Sequence, residues 1–245
     1  MQAFDPHTTL EGCEVLVVGG STGIGFSTAL AAKSCGAHIT LIGRDATKLD
    51  AAATRLGGAR IAVANIADRA SIEAALAGLT RIDHLVITAG SLIAGKLAES
   101  DPDHLLQALQ ERIAGPLYAI KAALGKMPDT GSIVLMGGQF SDRPVGNGTA
   151  LISAAVRGIE GLARALALEL APIRVNVISP GFIDTPLFDV FGAEGRQALL
   201  DQVAAKIPVG RVGQPEEVAQ GITFLLSNRY MTGEVLHIDG GGRLV

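Results

Sequence analysis

The sequence predicts an α/β fold, a single doubly wound parallel sheet of about seven strands with helices on both faces. Two observations support this prediction. Short apolar runs alternate with longer amphipathic segments along the whole chain, which is typical of repeated βαβ units. Hydrophobic residues make up 48% of the 245 residues and charged residues only 18%, enough to cover a sheet on both faces. We therefore expect one domain that extends over residues 1–245.

The elements follow from these runs in chain order. The predicted strands are 14–18, 38–42, 60–64, 82–88, 132–136, 173–178 and 234–238, and the clearest predicted helices are 24–35, 46–56, 70–79, 103–125, 150–170 and 216–226. Boundary residues agree with these limits, because Asp101 precedes Pro102 at one helix start, Pro215 lies near another, and Gly36 follows a helix end.

Two stretches have no clear periodicity, residues 137–149 and residues 181 to about 195. Both follow predicted strands at their carboxyl ends, where open α/β sheets bind ligands. We expect these two loops to form the substrate side of a site. The least patterned segment, about 182–205, is the predicted substrate loop.

Composition excludes several function classes. The formal net charge is -4, aromatic residues are 4% and Trp is absent, so nucleic acid is not expected as a partner. No apolar run approaches the ~20 residues that cross a membrane. The first twelve residues carry Asp5 and Glu11 and have no basic segment before an apolar one, so they do not form a secretory signal. These features predict a cytoplasmic protein that does not bind membranes.

The two cysteines, Cys13 and Cys35, are not arranged as a CxxC pair, and the chain has no His-rich spacing. This pattern argues against a disulfide framework and a metal site. We expect reduced thiols that serve in packing.

A glycine-rich turn is the strongest local motif. The strand 14–18 continues into Gly19-Gly20-Ser21-Thr22-Gly23-Ile24-Gly25 and then an apolar helix. Glycines allow the backbone to approach a pyrophosphate, and the helix amino terminus offers free N–H groups to it. The motif predicts a Rossmann-like dinucleotide site, and a tight turn that binds no ligand is the alternative.

The second strand ends at Gly43-Arg44. Folds specific for NAD place an acidic residue near this point, whereas an Arg can pair with the 2′-phosphate of NADP. Arg44 therefore predicts NADP(H) in preference to NAD(H). Two alternatives stay open here: Arg44 is an ordinary surface residue, and Asp45 either pairs with Arg44 or caps the next helix.

Over essentially its whole length the chain resembles the classical short-chain dehydrogenase/reductase family. The resemblance rests on the glycine spacing, Asn65-Ile66 in place of the family's Asp-Val, Thr88-Ala89-Gly90 in place of Asn-Ala-Gly, and the segments 174–181, 210–218, 224–227 and 239–241 with Thr185, Thr232 and Gly233. It implies that the cofactor is bound by Gly19, Ser21, Thr22, Gly23, Ile24, Gly25, Arg44, Asn65, Ile66, Ala89, Gly90, Pro180, Gly181, Ile183 and Thr185.

The same resemblance reveals a departure at the proton-transfer positions. Where the family has Ser, Tyr, Lys and Asn, this sequence has Gly138, Ile152, Val156 and Arg112. Sliding the helix cannot restore the motif, because Gly161 and the segment 168–171 fix its alignment. The two tyrosines, Tyr118 and Tyr230, lie elsewhere and are expected to be structural. No catalytic residue is predicted at the usual positions.

Few other residues are candidates for the missing chemistry. Arg112 is a cation that would bind an anionic substrate or polarise an oxygen, unless it forms a salt bridge with Glu111 or another surface carboxylate. His84 and His104 fit a strand and a helix, and nothing pairs them into a site. The remaining candidates are polar loop or helix residues, which we expect to be solvated rather than catalytic: Ser141, Asp142, Arg143, Asn147 and Ser153.

Two hypotheses follow. The first is an NADP(H)-dependent oxidoreductase whose small-molecule hydride acceptor, an activated double bond, quinone or iminium, needs no Tyr acid, since proximity supplies much of the acceleration. The second is a catalytically silent NADP(H)-binding sensor or partner subunit. The resemblance also implies a homodimer or homotetramer that pairs through helices 103–125 and 150–170.

Overall fold

A computed structural model describes residues 10–245 of the chain. The stretch that contains Asp5, on which the prediction about a secretory signal partly rests, lies outside this range. The described chain forms seven parallel strands in the order β3-β2-β1-β4-β5-β6-β7, which confirms the predicted doubly wound sheet. The strands are β1 Glu14–Val18, β2 His38–Gly43, β3 Arg60–Val63, β4 His84–Ile87, β5 Ser132–Met136, β6 Arg174–Pro180 and β7 Val235–Ile238.

Strand β1 is the third strand in this order and lies at the point where the order reverses. It pairs with β2 on one side, Val17 opposite Leu41, and with β4 on the other, Val17 opposite Val86. The chain therefore moves outward in one direction through β2 and β3, then crosses to β4 and moves outward in the other direction. Such a reversal leaves a crevice at the carboxyl ends of the two strands between which it occurs, β1 and β4.

Helices cover both faces of the sheet. They are α1 Gly23–Ser34, α2 Ala46–Arg55, α3 Arg69–Ala77, α4 Pro102–Leu109, α5 Gly115–Ala123, α6 Ala150–Glu169, α7 Gly192–Ala204 and α8 Pro215–Ser227. One hydrophobic core joins the sheet to α3, α5 and α6, for example through Ile72 and Ile159. The other joins it to α1, α2 and α8 through residues such as Phe26, Leu49 and Ile222. Burial on both faces explains why the strands are continuously apolar.

Side chains at the helix starts follow the predicted boundary chemistry. The Asp45 carboxylate accepts a hydrogen bond from the backbone N–H of Lys48 at 3.1 Å, so this residue caps α2 and is not the ion-pair partner of Arg44. Asp101 likewise caps α4. Gln214 and Glu217 form a reciprocal capping box at α8, and a hydrogen bond from Arg211 lowers the pKa of the Glu217 carboxyl to about 2.

Two predicted segments differ from the structure. The predicted helix 103–125 contains a π-helical turn, Gln110–Ala114, between α4 and α5. Helix α7 begins at Gly192, so residues 192–195 are helical rather than irregular, and most of the predicted substrate loop 182–205 is ordered as a 3₁₀ segment, Pro186–Phe191, followed by α7. Helix α7 escaped prediction because it has two glycines and buries only Leu200, so no apolar stripe marks it.

Several smaller features complete the fold. Within residues 10–245 no helix is long and apolar enough to cross a bilayer. The same part of the chain has no group of three His, Cys, Asp or Glu side chains placed to hold a metal ion. Cys13 and Cys35 are free thiols that pack against the core on the α1 and α8 side.

Candidate active site and cofactor cleft

A cleft of about 520 Å³ lies at the carboxyl ends of the central strands, where the strand order reverses. Its lining comes from the turn after β1, the ends of β2 and β4, the π-helical turn and the segment after β6. The lining residues are Val18, Gly19, Ser21, Thr22, Gly23, Ile24, Gly25, Gly43, Arg44, Lys48, Ala64, Ile66, Thr88, Ala89, Gly90, Ser91, Leu92, Glu111, Thr185, Pro186, Leu187 and Val190. We call this feature the cofactor cleft.

The glycine-rich turn forms one wall of the cofactor cleft with backbone alone. Gly19 has a φ of +92°, and a Cβ at this residue would lie 2.6 Å from the backbone nitrogen of Ala89. A Cβ on Gly25 would lie 2.2 Å from the carbonyl oxygen of Gly19. The turn therefore folds only with glycine at these positions, and it brings backbone to the surface of the cleft.

The amino terminus of α1 opens onto this wall. Its N-cap residue, Thr22, makes no side-chain hydrogen bond to the helix, and the first turn holds no acidic residue. The first N–H groups of the helix and its positive dipole end are thus available to a ligand beside Gly23 and Ile24, which line the cleft. An uncapped helix terminus beside exposed backbone fits the pyrophosphate of a dinucleotide.

Two cations stand at the β2 end of the cofactor cleft. Arg44 follows β2, and its side chain is 63% exposed. Lys48, on the first turn of α2, also lines the cleft and has no ion-pair partner within residues 10–245. The Arg44 guanidinium extends toward the β4 side, where Nη2 lies 3.4 Å from the hydroxyl of Ser91. A phosphate bound at this end would meet two positive side chains.

Glu111 and Arg112, neighbours in the π-helical turn, hold the backbone of Ser91 from both sides. The Glu111 carboxylate accepts hydrogen bonds from the Ser91 N–H at 2.6 Å and from its hydroxyl at 3.3 Å. Arg112 donates from Nη2 to the Ser91 carbonyl at 3.1 Å. The turn after β4 is thereby fixed beside the cleft. Extra turns of π-helix commonly occur at such functional positions.

The structure corrects the salt-bridge alternative for Arg112. This side chain pairs with no carboxylate in the described chain, and Glu111 is 3.8 Å from Nη1 of Arg44 instead. Burial lowers the pKa of the Arg112 guanidinium, and its Nε is buried without a hydrogen-bond partner. Arg112 packs beside Gly90, where a Cβ would approach its guanidinium carbon to 3.1 Å.

Ile152 and Val156 belong to a separate apolar cluster. They are 3% and 2% exposed and pack with Ile93 and Ala108, and these four residues are called the apolar wall. Leu92, which lines the cofactor cleft, packs against the wall and joins the two regions. A Cβ on Gly138 would be in ordinary van der Waals contact with Val156, at 3.7 Å. No titratable side chain lies at any of these three positions.

Aromatic rings extend the apolar surface beyond the wall. Phe140 packs against the wall and meets Phe182 edge to face, with ring centres 6.1 Å apart. Phe182 stacks on Phe188 at 5.8 Å. Phe188 belongs to the 3₁₀ segment whose Pro186, Leu187 and Val190 line the cleft. The three rings therefore form a continuous apolar contact between the segment after β5 and the segment after β6.

Most residues that the sequence assigned to the cofactor line the cleft, including the glycine-rich turn, Arg44, Ile66 and Thr185. Four do not. Asn65 caps its own turn by accepting from the N–H of Ala67. Ile183 is buried in the core on the α1 side. Pro180 is buried at the end of β6, and Gly181 packs so tightly against Asp239 that a Cβ would lie 2.8 Å from its Cα.

The other candidate residues do not line the cofactor cleft. Asp142 pairs with Arg157 at 3.3 Å and with His237 at 3.0 Å, whereas Arg143 and Asn147 are exposed. The hydroxyls of Ser141 and Ser153 are buried without hydrogen-bond partners in the described chain.

The candidate histidines, His84 and His104, and the two tyrosines also lie apart from the cleft. His84 is buried in β4 with Nδ1 2.8 Å from the Ser132 hydroxyl, and burial lowers its pKa to about 4. His104 is exposed on α4. Tyr118 contacts the side-chain amide of Gln110 at 3.3 Å. Tyr230 is fully exposed in the described chain.

Sequence reasoning missed several residues of the cleft. Lys48 was detectable, because it follows Arg44 by one helical turn at the start of α2. Ser91 and Glu111 were not, because a tertiary contact brings the π-helical turn against the end of β4. Leu187 and Val190 belong to the segment that carried no pattern.

Comparison with known proteins agrees with this architecture. Residues 18–242 match the family model described as enoyl-(acyl carrier protein) reductase. The chain belongs to the short-chain dehydrogenase/reductase family. Human 3-oxoacyl-[acyl-carrier-protein] reductase is 32% identical over 244 residues, covering 94% of this chain and 97% of the relative. The chain is thus an oxidoreductase of the short-chain dehydrogenase/reductase type.

Two solved structures of this family are similar over nearly the full chain. A reductase/Diels-Alderase, MalC of Malbranchea aurantiaca, has a TM-score of 0.90 and 28% identity, covering 98% of this chain and 99% of that one. A small-chain dehydrogenase in complex with NADPH has a TM-score of 0.84 and 30% identity, covering 96% of this chain and 100% of that one.

Proposed function

We propose that this protein is an NADP(H)-dependent oxidoreductase that transfers hydride between the nicotinamide and a small apolar molecule whose reacting centre needs no acid from the protein. One contrast carries the proposal. The cofactor cleft has its glycine-rich turn and its cations, while the positions at which the family places Ser, Tyr and Lys hold Gly138 and two buried residues of the apolar wall.

The choice of NADP(H) rests on the charges at the β2 end of the cleft. Arg44 and Lys48 offer guanidinium and ammonium groups where the 2′-phosphate would lie, and β2 ends in Gly43 rather than an acid. The structural relative that contains NADPH supports the same choice. Because the Arg44 side chain is 63% exposed, its contact with the phosphate is expected to form on binding.

Bound NADPH would supply the hydride. The residues of the cleft would hold its pyrophosphate at the amino terminus of α1 and orient its nicotinamide end toward the segment that contains Thr185. A ketone builds negative charge on oxygen during reduction and needs a donor, whereas an iminium loses charge and needs none. An activated carbon–carbon double bond or a quinone places its charge on a remote oxygen that water can stabilise and protonate.

The names of two relatives agree with this class of acceptor. An enoyl group, named in the matched family, is a carbon–carbon double bond conjugated to a carbonyl. A Diels–Alder reaction, named for MalC, forms carbon–carbon bonds without proton transfer. Hydride addition to an enoyl group places negative charge on the remote carbonyl oxygen, and a Diels–Alder reaction places demands on an apolar, orienting surface. The apolar wall with Phe140, Phe182 and Phe188 offers such a surface here.

Calorimetry tests the cofactor assignment. The parent protein is expected to bind NADPH more tightly than NADH. Arg44→Ala should weaken NADPH binding by about 1 to 3 kcal/mol, because one charged hydrogen bond is lost, and it should leave NADH binding nearly unchanged. Equal loss for both cofactors, or tighter binding of NADH by the parent, would exclude the assignment.

Turnover separates catalysis from silent binding, the second hypothesis. NADPH oxidation is measured with a cyclic enone, a quinone and a cyclic iminium, beside simple ketones as controls. The proposal expects consumption with at least one of the first three and little with the ketones. Tight binding of NADPH without turnover of any acceptor would favour a sensor or partner subunit.

We also propose that the chain forms a homodimer or homotetramer. Exposed leucines lie on the helices expected to pair, with Leu106 on α4, Leu117 on α5 and Leu168 on α6, the last 83% exposed. Burying this apolar surface against a second copy would stabilise the assembly. Sedimentation equilibrium tests the state, and Leu168→Glu should shift it toward monomer, whereas Val63→Glu on β3 should not.

A further inference from the structure

We propose that Glu111 sets the cofactor preference of the cleft by competing with the 2′-phosphate for Arg44. This inference rests on the proposed use of NADP(H). It concerns a residue that the sequence reading considered only as a possible partner of Arg112.

The geometry places an acid inside the cofactor cleft and opposite the phosphate-binding cation. Glu111 lines the cleft, and only 13% of its side chain is exposed. Its Oε1 lies 3.8 Å from Nη1 of Arg44, and Nη2 of Arg44 lies 3.4 Å from the Ser91 hydroxyl. Arg44 follows β2 and Glu111 belongs to the π-helical turn, so this contact extends across the cleft from one side to the other.

The Glu111 carboxylate is held by shorter contacts than the Arg44 guanidinium is. Two hydrogen bonds from Ser91 hold the carboxylate, at 2.6 and 3.3 Å, and the Ser91 carbonyl is held in turn by Arg112. The Arg44 side chain is 63% exposed, and its contacts with Glu111 and Ser91 are long. Any exchange of partners is therefore a movement of Arg44.

Electrostatics favours the exchange of the Arg44 partner from the Glu111 carboxylate to the 2′-phosphate. The Arg44–Glu111 ion pair has one long contact and one exposed member, so it contributes little to stability. A dianionic 2′-phosphate offers Arg44 shorter, charge-assisted hydrogen bonds and displaces the carboxylate. NADP(H) binding must then break the Arg44–Glu111 contact and bring phosphate near a negative side chain, whereas NAD(H) has no 2′-phosphate and incurs neither cost.

Glu111→Gln tests the proposal, because the amide oxygen still accepts the N–H of Ser91 while the negative charge is removed. Calorimetry should show NADPH binding about two- to five-fold tighter than in the parent, and the affinity for NADH should change less than the affinity for NADPH. The matched control is Glu99→Gln, which removes one charge from an exposed pair with Lys96 and should leave both cofactors unchanged. Thermal unfolding without cofactor verifies that each variant is folded.

A double-substitution cycle tests whether Glu111 acts through Arg44. The gain from Glu111→Gln should shrink in an Arg44→Ala background, because the competed cation is absent. Glu111→Ala removes the carboxylate and the acceptor for Ser91 together, and it is expected to weaken the binding of both cofactors because Ser91 is no longer held. Tighter NADPH binding in Glu111→Gln but not in Glu111→Ala would therefore assign the gain to the lost charge and the loss to the released turn.

Three results would overturn the inference. Unchanged NADPH binding in Glu111→Gln excludes competition, and an undiminished gain in the Arg44→Ala background excludes an effect through Arg44. Weaker NADH binding in Glu111→Gln would instead make Glu111 a ligand of a ribose hydroxyl. Failure of the proposed function looks different, because the parent protein would then prefer NADH before any change at Glu111.

Discussion

The cofactor cleft and the apolar wall are adjacent, joined by Leu92, yet they are built from different parts of the chain. One wall of the cleft is backbone, shaped by glycines whose replacement would create contacts as short as 2.2 Å. The apolar wall is side chains, with Ile152 and Val156 almost fully buried. A fold can thus keep a cofactor site through backbone geometry while the side chains beside it determine which chemistry is possible.

The difference also concerns how each region tolerates charge. The cleft gathers Arg44, Lys48 and Glu111 at a partly solvated edge. Within the apolar wall there is no polar side chain. We therefore expect a charged side chain to be tolerated in the cofactor cleft and to destabilise the apolar wall. The following substitutions test this contrast from the largest expected effect to the smallest.

Val156→Lys places an ammonium group in the apolar wall. We expect the free energy of unfolding to fall by roughly 3 to 5 kcal/mol, because a buried charge without a partner is not compensated. Chemical denaturation measures the loss. The matched control is Val63→Lys on β3, where the side chain is 54% exposed and the change should be small. Equal stability of the two variants would mean that the space beside Val156 is solvated and would contradict the dry packing of the apolar wall.

The buried imidazole of His84, the first residue of β4, provides a test of whether the sheet excludes positive charge. Its pKa is lowered by burial from 6.5 to about 4. Between these pH values the unfolded chain binds more protons, so the stabilising contribution is complete above pH 6.5 and is lost as the pH falls through 4. The expected loss is about 3 kcal/mol.

Denaturant unfolding across this pH window measures the effect of His84. His84→Gln should flatten the pH dependence, whereas His104→Gln, a change at an exposed histidine, should leave it as in the parent. An unchanged slope in His84→Gln would show that the imidazole is protonated in the folded state as readily as in the unfolded one.

Gly25→Ala tests the backbone wall of the cleft. The new Cβ would lie 2.2 Å from the Gly19 carbonyl oxygen, so the turn must move, with an expected cost of about 1 to 3 kcal/mol and weaker NADPH binding. Gly78→Ala is the control, because nothing lies within 4 Å of a Cβ there. Unaltered NADPH affinity in Gly25→Ala would contradict the view that backbone geometry holds the cofactor.

The sequence was sufficient for the features that depend on local pattern. Apolar runs predicted β1 and β5 to the residue, and the acid before Pro102 marked the start of α4. Helix α7 and the π-helical turn escaped, because one lacks an apolar stripe and the other is a change of hydrogen bonding inside a continuous helical pattern. The Arg44–Glu111 contact escaped because residues distant in sequence meet only in the fold.

The packing of Ile152 and Val156 is a second feature that the sequence alone could not predict. Their identity was visible in the sequence, and so was the absence of Tyr and Lys at those positions under the family resemblance. Whether they left an empty pocket or filled it depended on Ile93 and Ala108, which come from the segment after β4 and from α4. Packing of this kind is a property of the three-dimensional arrangement.

The central claim is that hydride transfer here requires no proton donor from the protein, and single-turnover oxidation of protein-bound NADPH tests it most directly. The preformed complex is mixed with a cyclic N-alkyl iminium or with the ketone of the same ring size, and the loss of reduced nicotinamide absorbance is followed. We predict oxidation by the iminium that exceeds the rate in free solution, and oxidation by the ketone no faster than in free solution. Equal acceleration with the ketone would reveal a protein acid and contradict the account.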